Sequence, residues 1–160
     1  MDRDILEMTR NRIYWNEGFE PNEYLCPSKF PTIGIGFRTS TLAMYGLKKV
    51  ENLNQMLAFH ILDFFIEKIY NELNEKYNWL GQMPDEAISV MIEMIFQMGW
   101  GNSKKGFLSF KNTIKYLKQG KYTKASDEML DSEWARPEKG TPQRAKRLSE
   151  MIRKLADEQE

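Results

Sequence analysis

The chain has 160 residues, 41% of them hydrophobic, so it can bury the core of one domain or of two small lobes. Lys plus Arg number 23 and Asp plus Glu number 23, which lacks the basic excess of a nucleic-acid binder. One cysteine, Cys26, and one histidine, His60, exclude a disulfide framework and a four-ligand zinc site, so no metal or cofactor is expected. No run of about 18 apolar residues occurs, and Met1-Asp2-Arg3-Asp4 lacks the basic start of a secretory signal. No stable membrane association is expected.

Ile5 to Trp15 reads as a short helix that Gly18 can close. Residues 19–37 change character. Pro21, Pro27 and Pro31 punctuate them, and Thr32-Ile33-Gly34-Ile35-Gly36-Phe37 alternates with period two, which predicts a small hairpin region.

Leu53 to Leu80 is the longest helical pattern, with Leu62, Ile66, Ile69, Leu73 and Tyr77 on one stripe. A helix of about 25 residues is about 37 Å long, long enough to join two lobes. His60 lies in this stretch and reads as a partly buried, satisfied histidine.

Pro84-Asp85-Glu86 starts a second helix, with proline in its first turn, and Ile88, Met91, Ile92, Ile95 and Phe96 form its buried face up to Gly99. Phe107 to Gln119 and Lys121 to Asp131 read as helices. Thr141-Pro142 is a cap and first-turn pair for a last helix with Ala145, Leu148, Ile152 and Leu155 inward. The class is α+β, mostly helical with a small early sheet.

The spacing of Glu17, Glu20 and Glu23 by three does not choose a functional carboxylate among them. Taken singly, each is most simply a solvent-facing side chain.

Several blocks carry a resemblance when taken in order. Glu17-Gly18 precedes a tyrosine-containing loop and Pro31-Thr32-Ile33-Gly34-Ile35-Gly36. Phe96-Gln97-Met98-Gly99 ends a buried helix, and Phe110-Lys111-Asn112-Thr113 opens another. Trp134 and then Thr141-Pro142-Gln143-Arg144-Ala145-Lys146-Arg147 follow. This order resembles the T-even phage lysozymes, a family of glycoside hydrolases, over about residues 12–153.

The resemblance implies one lysozyme-like domain over 1–160. A small lobe would span about 12–60 and a connecting helix about 53–80. A helical lobe would span about 81–160 together with the helix at 2–16. It implies a monomeric endolysin that cuts the β-1,4 bond between N-acetylmuramic acid and N-acetylglucosamine in peptidoglycan. Such an enzyme waits in the host cytoplasm. It reaches the periplasm and cell wall once a separate pore-forming protein, a holin, opens the membrane.

Carried over by motif, Glu17 is the general acid and Thr32 the catalytic threonine. Gly36, Phe96, Gln97 and Thr113 meet the sugar chain, and Arg144 supports the acid. Phe37 stands where the family often has a histidine, which leaves Asp63 without that partner.

The family's catalytic aspartate falls eight residues after Gly18, where this chain has Cys26. Inverting hydrolysis needs an acid for the leaving oxygen and a base for water. A thiolate can serve as base or nucleophile, but an ordinary cysteine is only about 3% thiolate at pH 7. Two rival readings follow from that. One is a catalytically silent wall-binding relative. The other is a lytic transglycosylase, which needs no water-activating base.

Overall fold

The computed structural model describes residues 1–159. Its elements run α1 (Arg3–Glu17), β1 (Glu20–Leu25), β2 (Pro31–Gly34), β3 (Phe37–Arg38), α2 (Thr39–Met44), α3 (Gln55–Lys76), α4 (Asp85–Met98), α5 (Lys111–Lys118), α6 (Tyr122–Leu130) and α7 (Pro142–Asp157). Short 3-10 turns occupy Leu80–Gln82, Phe107–Ser109 and Glu133–Ala135. The fold is a mostly helical α+β arrangement of the lysozyme-like kind that the motif order implies. No helix among the described residues is long and apolar enough to cross a membrane.

The chain divides into two compact units, residues 6–68 and residues 1–5 with 69–160. The boundary falls within α3, between Lys68 and Ile69. The α3 stripe is buried as its spacing requires, through Ala58, Leu62, Ile66, Ile69 and Leu73. The helix stops at Lys76 rather than Leu80. Asn78 is a poor helix former, and Leu80 instead opens a separate 3-10 turn.

In the unit of residues 6–68, three antiparallel strands lie in the order β1-β2-β3. Tyr24 pairs with Thr32 and Leu25 with Pro31, while Thr32 also pairs with Arg38. A bulge lies between Glu20 and Tyr24. β1 is tied to the start of α3 because Leu53 N–H donates to Pro21 C=O at 2.8 Å and Asn52 N–H donates to Asn22 Oδ1 at 2.9 Å. The short α2, which the periodicity did not predict, follows β3 directly and buries Leu42. Phe37 is buried and its ring lies 5.7 Å from that of Phe65.

In the unit that holds residues 69–160, α4 is the central helix. Every residue from Ala87 to Ile95 is buried, so it is covered on all sides. Phe96, expected on the buried face, is only half-buried at the helix end. Buried Glu93 faces the Arg147 guanidinium of α7, Oε1 to Nη2 at 3.6 Å. α7 packs on α4 and α6 through Ala145, Leu148, Ile152 and Leu155.

Two helix starts and one cap bond differ from the reading of the sequence. Pro84 stands one place before α4, in extended geometry with ψ 146°. The stretch from Phe107 splits at Phe110, whose ψ of 54° leaves the helical region. Thr141 precedes α7, but its side chain makes no cap bond, because its Oγ1 accepts from Gln97 Nε2 at 2.8 Å.

Candidate active site

The site in residues 6–68 is organised by the β1–β2 hairpin loop. Cys26 N–H donates to Phe30 C=O at 3.1 Å, and Lys29 N–H donates to Cys26 C=O at 2.8 Å. Pro27 presets the first turn residue and Lys29 closes the loop with φ +66°. This is the three-residue hairpin loop that ends on a left-handed residue. Cys26 occupies the position where side-chain acceptors are favoured, because they take the N–H two residues on.

The sulfur does take it. Cys26 is half-buried, and its thiol is held below its ordinary pKa. The main cause is a hydrogen bond from the backbone N–H of Phe30, against which burial works. The Thr32 hydroxyl, the Ser28 N–H and the positive charge of Arg38 lower it further. These donors and the cation all favour the thiolate.

Thr32 is 3% exposed, and its hydroxyl donates to Phe30 C=O at 2.9 Å. A hydroxyl has one hydrogen to give. It therefore serves the carbonyl or the Cys26 sulfur, but not both at once.

Glu17 is the last residue of α1, where Gly18 turns the chain away with φ +67° and donates its N–H to Tyr14 C=O at 2.8 Å. The Glu17 side chain is half-buried and lies on Gly36. A Cβ at Gly36, where φ is +70°, would sit 2.8 Å from Glu17 Oε2. Glu20 and Glu23 are exposed.

Tyr24 connects the two sides. Its hydroxyl pKa is raised by burial first, then by the negative charges of Glu17, Cys26 and Glu20. One tyrosine thus feels both Glu17 and Cys26, and all three share a unit with Thr32 and Gly36. The sequence reading passed over Tyr24 and Arg38. Strand alternation could have found them, because both are cross-strand partners of Thr32.

The other expected positions lie in the second unit. Gln97 accepts from Trp134 Nε1 at 3.3 Å and donates to Thr141 Oγ1, so its amide joins two of the motif blocks. Thr113 is buried on α5 with no hydrogen-bond partner for Oγ1, and it lines a groove of about 290 Å³ with Asn112, Glu128 and Asp131. Arg144 is half-buried on α7.

One expectation in the first unit changes. His60 is exposed, not partly buried, because it stands off the apolar stripe of α3. Asp63 lacks the histidine partner as expected and has another. Arg10 grips both of its oxygens, Nε to Oδ1 at 2.6 Å and Nη2 to Oδ2 at 2.9 Å. The site of a missing histidine partner is thus resolved by a bidentate arginine from α1.

No curated protein sequence matches this chain significantly. The phage lysozyme family model matches residues 15–156, which include both the hairpin loop and the Gln97–Trp134–Thr141 linkage. With nearly the whole chain covered, the protein belongs to the phage lysozyme family, glycosidase-type hydrolases with a muramidase or endolysin role.

Proposed function

We propose that this protein hydrolyses the β-1,4 bond between N-acetylmuramic acid and N-acetylglucosamine in peptidoglycan, and so lyses the host cell. Glu17 is the general acid, Cys26 the base, and Thr32 the group that positions water. The observation that carries this reading is the hairpin loop's donor set around Cys26, which favours the thiolate. A thiolate at this place does what a carboxylate would do.

The Glu17 carboxyl gives its proton to the glycosidic oxygen as the bond from that oxygen to the sugar's anomeric carbon breaks. Water adds to the anomeric carbon and gives its proton to the Cys26 thiolate. The negative sulfur also stabilises the cationic transition state. One water is consumed. Glu17 ends deprotonated and Cys26 protonated, and exchange with solvent restores both. When the sulfur is protonated, the Thr32 hydroxyl can return to the Phe30 carbonyl.

Gly36 lets the Glu17 carboxyl approach the backbone, because any side chain there would displace it. Phe96, Gln97 and Thr113 are sugar-chain contacts in this reading, and Arg144 supports the acid. The protein acts as a monomer on glycan strands. It reaches them when a separate pore-forming protein opens the membrane.

The test is clearing of a suspension of outer-membrane-permeabilised bacteria, with product analysis. Wild type should clear the suspension and leave reducing ends. Glu17→Gln should not clear it. Absence of clearing by wild type, with glycan still bound, would identify a silent wall-binding relative. A 1,6-anhydro-muramic end would identify a transglycosylase.

A further inference from the structure

Among the described residues, Arg38 is the cation whose charge favours the Cys26 thiolate, and the motifs assign it nothing. Its position follows from the sheet. Thr32 on β2 pairs with Arg38 on β3, so Arg38 lies one strand from the residue whose hydroxyl reaches the sulfur. Its guanidinium carbon lies 4.0 Å from the centre of the Phe30 ring. Phe30 in turn brackets Cys26 across the hairpin loop through its backbone. The charge is therefore held by stacking on an aromatic face.

A planar guanidinium stacks flat on an aromatic face, so its charge is held where the sheet places it. Glu17 on α1 and Glu20 and Tyr24 on β1 are charged or titratable groups on this side, since the Tyr24 hydroxyl feels Glu17, Cys26 and Glu20. Negative charge at any of these opposes a thiolate. Lys29 stands in the loop itself and is not among the charges that lower the thiol.

We infer that Arg38, stacked on Phe30, is a positioning residue that favours the ionised form of the Cys26 base. A carboxylate at position 26 is ionised at pH 7 without help, whereas a thiol is not. The inference deepens the proposed function and rests on the assignment of Cys26 as base.

The single cysteine makes the test direct, since every thiolate signal from the whole protein belongs to Cys26. The rate of alkylation by iodoacetamide, followed against pH, gives the thiol midpoint. Turbidity clearing against pH gives the acid limb of activity. Arg38→Met keeps an apolar stem to pack on Phe30 but removes the charge. It should raise the thiol midpoint and shift the acid limb by the same amount. At pH 7 and low salt kcat should fall, with KM unchanged and the loss recovered at higher pH. Added salt should shrink the difference between wild type and variant. Arg38→Lys should recover part of the shift.

An unchanged thiol midpoint in Arg38→Met overturns the inference and leaves the role of Cys26 standing. A uniform loss of activity at every pH, with the midpoint fixed, overturns it too and assigns Arg38 to substrate binding. A midpoint that moves while the acid limb stays in place overturns the role of Cys26 as base, and the inference with it. Circular dichroism of both variants confirms that each folds.

Discussion

The Glu17 carboxyl rests on the backbone of Gly36, where an added Cβ would meet Oε2 at 2.8 Å and Cδ at 2.9 Å. The contact joins the end of α1 to the turn between β2 and β3. It makes Gly36 a sensitive probe of the acid. Gly36→Ala carries two penalties: a left-handed φ worth about 1–2 kcal/mol, and displacement of Glu17. Gly46 has φ +85° with nothing within 4 Å of its added Cβ, so Gly46→Ala carries only the first. Denaturant melts should show both variants destabilised, Gly36→Ala at least as much as Gly46→Ala. Clearing assays should show only Gly36→Ala slowed, by about a hundredfold, as expected for a reacting group moved by about 1 Å.

Position 26 separates the thiol's chemistry from its packing. Cys26→Ser keeps the size and the turn but supplies no base, so activity should fall below a tenth of wild type. Cys26→Asp should keep a substantial part, since aspartate is favoured at this place in the loop and accepts the same N–H groups. The pH profile gives the sign. The thiol lies below its ordinary value, and the thiolate is the active form, so with Glu17 protonated wild-type activity rises with pH through the thiol midpoint. The Asp variant should move that acid limb down by several pH units, towards the carboxylate range. Full activity in Cys26→Ser would remove the thiol from turnover.

Lys29 closes the hairpin loop in a left-handed conformation that suits glycine. Lys29→Gly should stabilise the protein by about 1 kcal/mol, the relief of a left-handed side chain offset by glycine's greater freedom when unfolded. A thermal melt should show a rise of about 2–4 °C. A fall would mean that the lysine side chain contributes more than its backbone costs.

Phe37 stands where the family often keeps a histidine. Its ring is 3% exposed and packs on Phe65, while both oxygens of Asp63 are held by Arg10. Restoring the histidine should therefore not restore an ion pair. Phe37→His should lose about 3 kcal/mol in a urea melt, from the lost apolar contact and the burial of polar ring nitrogens.

Local pattern sufficed for much of the fold. Period-3.6 stripes located α3, α4 and α7, and glycines marked where α1 and α4 end. It failed where short-range interactions compete. The six-residue α2 is too short to show a stripe, and α3 ends early at a polar and aromatic segment. Thr141 reads as a cap, yet its Oγ1 accepts from Gln97, which is 44 residues away and invisible to a local rule. Asp63 likewise found Arg10 across 53 residues.

By itself the sequence determined the family, because the motif blocks need only their order and spacing to be recognised. It also narrowed the reactive groups to carboxylates, one thiol and one imidazole. Only the tertiary structure decided that the three glutamates differ, with Glu17 half-buried on Gly36 and the others in solvent. Only it decided that the one thiol sits among donors and beside a stacked arginine. The reason is physical. Residue type sets what a group can ionise to, but the field at its position sets which form it takes. That field comes from backbone N–H groups and charges that strand pairing brings together.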